Sequence, residues 1–321
     1  MSRKAVVLVT RKLPLAVEQR LARDYEARFN VEDKVYSSDE LLQLAVGADA
    51  IIPCHTERLT AEVIGRLPSS VRAICSFSVG FDHIDLAAAK ACGITVTNTP
   101  EVLSDATAEI ATLLMLGAAR RVYEGERQIR TDTWADWSAT YQLGVQVTGK
   151  RLGILGMGRV GQIMARRARG FDMQIHYFNR RRLSGELEQG AVYHDSVESL
   201  LPHCDFLSIH CPATPETHHL LNEQRIALLP DGAVVVNTAR GAVVDDEALI
   251  AALRSGKLFA AGLDVFNNEP NIDPRYKELE NTFLLPHVGS ATRETRDAMG
   301  FRALDNLDAI IVGGEPGDRL A

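Results

Sequence analysis

The sequence predicts an α/β protein built from two parallel-sheet domains, and three observations carry that reading. Short apolar runs alternate with amphipathic stretches from end to end, the signature of strand–helix–strand units. At 321 residues and 46% hydrophobic content, the chain exceeds the size at which a single hydrophobic core stops growing, so two cores are expected. A Gly-x-Gly-x-x-Gly run, Gly156 to Gly161, lies between a strand pattern and a helix pattern.

Taken in order, the first third offers strands at Ala5 to Val9, Ala50 to Ile52, Ile74 to Val79 and Ile94 to Thr97. Helical patterns fall between them at Leu15 to Arg28 and Ile84 to Ala91. A long helical pattern then runs from Pro100 to Arg130 as a connector, opened by Pro100 and Glu101, which suit a first turn. A second series of six strands follows: Arg151 to Leu155, Gln174 to Phe178, Cys204 to Ile209, Ala233 to Asn237, Leu258 to Leu263 and Thr282 to Leu285. With intervening helices these make one doubly wound sheet.

Composition narrows the partners. A formal net charge of −7 and the lack of a long Lys/Arg block argue against nucleic acid. The apolar run Ala5 to Val9 is too short for a secretory signal, and no window approaches the roughly 20 apolar residues that span a bilayer. Cys54, Cys75, Cys92, Cys204 and Cys211 are odd in number and never form C-x-x-C, which speaks against a disulfide framework or zinc site and for a reducing cytoplasm. His203-Cys204 and His210-Cys211 bracket an apolar strand, whose alternation sends His210 and Cys211 to opposite faces. Core or cofactor-lining roles are expected there, and no metal.

The glycine run directly follows the strand Arg151 to Leu155 and opens a helix toward Arg169. Gly156, Gly158 and Gly161 therefore suit a tight turn and close backbone approach to a dinucleotide's pyrophosphate, with Arg159 and Val160 on the first helical turn. A site for NAD would place Asp or Glu at the end of the second strand, against the ribose 2′-hydroxyl. Here that strand ends in Asn179-Arg180-Arg181-Arg182, where amide and guanidinium groups donate to a 2′-phosphate. The expected cofactor is NADPH, with NADH as the lesser partner.

In such sheets ligands bind beyond the carboxyl ends of the strands. Cys211-Pro212 follows the third strand of this series, Thr238-Ala239-Arg240 the fourth, Asp264 the fifth and His287 the sixth. Arg240 suits bidentate carboxylate binding, His287 suits acid–base work because imidazole titrates near neutrality, and Glu269 in the loop after the fifth strand is placed to reach that imidazole. In the first domain Val79-Gly80 ends a strand and leaves amides for an anion.

The segments SVGFDHIDL, GILGMGRVG, HCPATPETHHLL, VVVNTARGAVVDDEAL, AAGLDVFNNEP and PHVGSAT resemble the successive signatures of the D-isomer-specific 2-hydroxyacid dehydrogenases, along nearly the whole chain. The resemblance implies that Arg240, Glu269 and His287 form the catalytic set and that Val79 and Gly80 bind the substrate carboxylate. It also implies that Thr107 and Asp264 line the nicotinamide side, with Cys211, Pro212, Thr217, Thr238, Ala239 and Gly289 among the cofactor contacts. By the same resemblance a Rossmann-type domain, 99–287, is inserted into a flavodoxin-like substrate domain made of 1–98 and 288–321. Within the family, ICSFSVG, TNTPEVLSDATAE and the Asn-Arg-Arg loop are most similar to glyoxylate/hydroxypyruvate reductases and hydroxyphenylpyruvate reductases. Asn267 departs from the Glu that many relatives carry before the Glu-Pro pair.

The implied reaction reduces glyoxylate or hydroxypyruvate to the D-2-hydroxy acid in an interdomain cleft, with His287 as general acid, steadied by Glu269. A homodimer built around the connector helix is implied, with Trp134, Trp137 and Tyr141 on the segment leaving it and Tyr141 reaching the partner's substrate pocket. Two other readings stay open at this stage. A reductase of bulkier acids such as 2-ketogluconate or hydroxyphenylpyruvate differs only in pocket volume, and a dinucleotide-sensing binding protein like the C-terminal-binding-protein co-repressors shares the fold.

Overall fold

The computed structural model describes residues 3–321. The chain divides into two compact units, Met1–Leu103 with Ser290–Ala321, and Ser104–Gly289. The change of unit thus falls at 103/104 and 289/290 rather than at 98/99 and 287/288. Backbone bonding accounts for the first difference, since the Thr99 N–H donates to the Ser78 carbonyl and keeps that stretch with the first unit.

The first unit contains β1 (Val6–Val9), β2 (Glu26–Arg28), β3 (Ala50–Ile52), β4 (Ala73–Cys75) and β5 (Thr95–Thr97). They form a parallel sheet in the order β2-β1-β3-β4-β5, the flavodoxin-like arrangement. Alternate side chains serve the two faces: Leu8, Ile51, Ile74 and Val96 pack on one, Val9, Ile52 and Cys75 on the other. A sheet buried on both sides needs such continuous apolar runs. The C-terminal segment returns to this unit, where Leu320 donates to the Val96 carbonyl and Arg302 forks onto Asp318.

Four expectations need correction here. The helix at Leu15 ends at Asp24, and Glu26–Arg28 form the edge strand β2. Glu26 and Arg28 flank a single small Ala27, so the strand leaves no apolar run to read. The strand expected at Ile74 to Val79 leaves the sheet after Cys75, and the helix expected at Ile84 starts at Leu86, capped by Asp85. The connector helix expected from Pro100 to Arg130 is two helices, Ser104–Ala119 and Val122–Arg130, parted at Arg121, which has φ 52°.

The second unit contains β6 (Arg151–Leu155), β7 (Gln174–Phe178), β8 (Val192–His194), β9 (Phe206–Ile209), β10 (Ala233–Asn237), β11 (Leu258–Leu263) and β12 (Thr282–Leu284). The parallel order is β12-β11-β10-β9-β6-β7-β8, seven strands rather than six. The extra one, β8, is a short edge strand. The chain winds outward from β6 through β7 to β8, then restarts on the other side at β9, so the crevice beyond β6 and β9 is the switch point where ligands bind. No helix among the described residues is long and apolar enough to cross a membrane, and the five cysteines are free thiols.

Candidate active site

At the switch point, β6 ends in the glycine run. Gly156 has φ +94°, and a Cβ there would stand 2.6 Å from the Cys211 nitrogen. A Cβ on Gly161 would meet the Gly156 carbonyl oxygen at 2.4 Å, so the helix Arg159–Arg169 can pack this closely only without one. Gly158 differs, because a Cβ there would meet nothing within 4 Å. Open space at the head of that helix, beside backbone too tight for side chains, fits a pyrophosphate drawn to the helix N-terminus.

Asn179, just past β7, is fastened to this turn: its Oδ1 accepts the Met157 N–H at 2.6 Å. The acceptor side of its amide is therefore occupied, and the NH₂ side is what Asn179 has left to offer. Arg182 is spoken for by Glu188, at 2.8 and 3.1 Å, and lies over the Tyr193 ring. Arg180 and Arg181 are exposed and, among the described residues, make no side-chain hydrogen bond.

The loops after β9, β10, β11 and β12 carry the other strand-end residues. His210 is enclosed, its Nε2 2.8 Å from Ser208 Oγ and its Nδ1 3.2 Å from Thr238 Oγ1, and burial pushes its pKa down to about 4. The imidazole is therefore a neutral strut between β9 and the Thr238-Ala239-Arg240 turn. Sequence reading did not assign this role, although Ser208 and His210 stand two apart on one strand face. Cys211 is half-buried, which raises its thiol to about 11, and Thr217 Oγ1 donates to the Pro212 carbonyl at 2.7 Å to shape the following turn. By contrast His203 and Cys204 precede β9 at the opposite end of the sheet, where Cys204 is buried and His203 exposed.

Arg240 begins the turn Gly241–Val243, and its Nη1 donates to the Ala239 carbonyl at 2.7 Å. Gly241 lets this turn touch the neighbouring loop, since a Cβ would lie 2.0 Å from the Phe266 carbonyl carbon. That neighbouring loop holds Glu269. Its Oε1 accepts the Phe266 N–H at 2.6 Å and its Oε2 meets His287 Nδ1 at 2.6 Å. Asn267 anchors the same loop by donating to Asp246 at 2.8 Å, which gives a local reason for amide in place of acid there, because a carboxylate would face Asp246.

Asp264 is 1% exposed, and both its oxygens are used, accepting the Val288 and Gly289 N–H groups at 2.8 Å each. Burial raises its pKa while those two amides lower it. With the His287 N–H donating to the Asp264 carbonyl at 2.9 Å, this residue builds the turn that presents the imidazole, and His287 takes φ 54° in it. Gly289 lies against Thr107, whose Oγ1 a Cβ would approach at 3.4 Å, so Thr107, Asp264 and Gly289 form one group. The arrangement gives His287 an oriented ring whose Nδ1 is engaged and whose Nε2 faces away from Glu269, suited to passing a proton.

In the first unit, the Ser78, Val79 and Gly80 carbonyls are tied back by the Thr99 N–H, Asn98 Nδ2 and Ser78 Oγ respectively. Among the described residues the Val79 and Gly80 N–H groups donate to no protein acceptor, which leaves two amide donors for an anion.

A glycine turn at the switch point of a doubly wound sheet, with Arg, Glu and His at neighbouring strand ends, defines a nicotinamide-nucleotide-binding oxidoreductase unit. Residues 112–289 match the family described as "D-isomer specific 2-hydroxyacid dehydrogenase, NAD binding domain". The chain is 45% identical to a glycerate dehydrogenase of Hyphomicrobium methylovorum, covering 99% of each. It is 40% identical to a glyoxylate reductase of Thermococcus litoralis, over 98% of this chain and 96% of that one. A solved structure of an NADPH-dependent glyoxylate/hydroxypyruvate reductase from Sinorhizobium meliloti, in complex with NADP and malonate, superposes with a TM-score of 0.89 at 31% identity, covering 99% of this chain and 97% of that one. The protein belongs to the D-isomer specific 2-hydroxyacid dehydrogenase family and is an enzyme of that class.

Proposed function

We propose that this enzyme reduces a small 2-keto acid, glyoxylate or hydroxypyruvate, to the D-2-hydroxy acid with NADPH, His287 acting as general acid. The observation that carries the reading is the 2.6 Å bond from His287 Nδ1 to Glu269, whose other oxygen is itself held by the Phe266 amide. Relatives named glyoxylate reductase and glycerate dehydrogenase support the substrate class, since glycerate and hydroxypyruvate are the two ends of one such reaction.

The nicotinamide supplies the hydride, and the chain supplies the rest. Arg240 and the Val79 and Gly80 amides take the substrate carboxylate, and Arg240 polarises the carbonyl. Imidazolium at His287 gives its Nε2 proton to the carbonyl oxygen as the carbon is reduced, and takes one back in the reverse direction. Asn179 and the uncommitted Arg180 and Arg181 favour a 2′-phosphate, consistent with the NADPH dependence of the Sinorhizobium relative.

The same proposal includes a homodimer formed around the helices Ser104–Ala119 and Val122–Arg130. Trp137 is 92% and Trp134 57% exposed on the segment that follows, a large aromatic surface for a partner to cover. Tyr141, bonded to Gln128 within its own chain, is the residue of this segment proposed to approach the partner's substrate. A reducing, cytoplasmic setting suits the five free thiols.

Steady-state kcat/KM on glyoxylate, hydroxypyruvate, 2-ketogluconate and hydroxyphenylpyruvate, each with NADPH and NADH, tests the reading. The two small acids with NADPH are expected to lead. A lead for either bulky acid, or no turnover of any, would overturn it.

A further inference from the structure

Arg296 stands apart among the partly buried arginines of the first unit. Arg20 is paired with Asp305 and Asp308, Arg11 with Asp33, and Arg302 with Asp318. Arg296, on the first turns of the helix Arg293–Ile311, has no carboxylate and no hydrogen-bond acceptor among the described residues. Its guanidinium lies 6.0 Å from the centre of the Phe77 ring. The ionisable group facing it is Cys54, which stays a neutral thiol because burial pushes it up to about 12. Burial also lowers the pKa of Arg296 itself, the mark of a cation drawn out of water without a counter-charge.

A cation in that condition is costly unless something compensates it. The cation–π contact with Phe77 compensates in part and fixes the plane of the guanidinium. The position indicates what else does. Cys54 follows β3 and Phe77 follows β4, both at the carboxyl ends of parallel strands, where this architecture binds ligands. Phe77 is also 4% exposed and two residues before Val79, whose amide is free for an anion. The Phe77 N–H donates to the Pro53 carbonyl at 2.8 Å, which ties the β3 and β4 ends together.

We propose that Arg296 is a specificity-determining residue that binds the oxygen on C3 of the 2-keto acid, and so favours hydroxypyruvate over glyoxylate. The inference rests on the proposed 2-keto acid reductase activity. Glyoxylate has no C3, whereas the C3 hydroxyl of hydroxypyruvate is an acceptor for a fixed, planar donor pair. A hydrogen bond to a charged group carries roughly a 10- to 100-fold effect when its donor is removed.

The test is kcat/KM for hydroxypyruvate, glyoxylate and pyruvate with NADPH, for wild type, Arg296→Met and Arg296→Lys. Pyruvate has the C3 carbon without the oxygen, so it separates the hydroxyl from the added volume. In Arg296→Met the ratio of hydroxypyruvate to glyoxylate is expected to fall about 10- to 100-fold, mainly through KM, with the ratio of pyruvate to glyoxylate moving far less. Arg296→Lys keeps the charge but loses the planar fork and falls between. An unchanged hydroxypyruvate-to-glyoxylate ratio, or an equal fall for pyruvate, would overturn the assignment. Thermal melting and NADPH titration of each variant separate these results from misfolding. If wild type reduces none of the three acids, the underlying reductase reading has failed, which is a different result from an unmoved ratio in an active enzyme.

Discussion

His287 meets a carboxylate at the carboxyl ends of the strands, whereas His176, His194 and His203 meet one another at the β7–β8 edge of the same sheet. His287 Nδ1 lies 2.6 Å from Glu269. His176 Nδ1 lies 3.0 Å from His194 Nε2, and its ring stacks on His203 at 5.3 Å. Burial, then the neighbouring imidazoles, push His176 down to about 4, and burial likewise lowers His194. Residue type alone therefore does not mark an acid. A like neighbour and burial hold an imidazole neutral, and a carboxylate on one nitrogen leaves the other oriented to carry a proton.

The comparison breaks most visibly at His287. His287→Ala should lose about 10² to 10⁴-fold in kcat for keto acid reduction, the usual scale for general acid catalysis, while His176→Phe at the other cluster should stay near wild type. Pre-steady-state and steady-state turnover check both. Comparable losses in the two variants would mean that the clusters do not differ in function.

Two residues of the β7 region sharpen it next. His176 lies within this strand, and Asn179 just past it is bound to the glycine turn. Asn179→Asp with Arg180→Ala should shift the NADPH/NADH ratio of kcat/KM toward NADH by about 10- to 100-fold, since a carboxylate repels the 2′-phosphate and accepts from a 2′-hydroxyl. A wild type that already prefers NADH would contradict the reading of this loop.

The smallest expected effect is on stability in acid. A histidine held near 4 in the fold and near 6.5 when unfolded makes the unfolded chain the better proton binder between those values. Its contribution is intact above the unfolded value and is lost as pH falls toward 4. His176→Phe should therefore flatten the pH dependence of urea stability near pH 5 by about one proton. Equal slopes in variant and wild type would show that His176 does not titrate with folding.

Much of this was legible before any coordinates, and the misses share a cause. The buried strands β6, β10 and β11 announce themselves as largely apolar runs, and the glycine turn and the strand-end Arg240 and Asp264 follow from them. Edge strands β2 and β8 are short and half-exposed, so burial leaves no pattern in them. The helix break at Arg121 is fixed from afar: Gln142 donates to the Arg121 carbonyl, and Val145 donates to that of Ala119. Such bonds, like the His210 strut to Thr238 and the lone guanidinium of Arg296, depend on what the fold brings alongside, which local pattern does not encode.

The direct test of the account follows the proton in both directions. Reduction of hydroxypyruvate with NADPH and oxidation of D-glycerate with NADP⁺ are to be measured across pH, in wild type and in His287→Ala. If His287 passes the proton, wild-type reduction falls toward alkaline pH and oxidation rises over the same interval, and both dependences disappear in the variant. If the pH dependences persist in His287→Ala, or if both directions run the same way in wild type, His287 is not the acid.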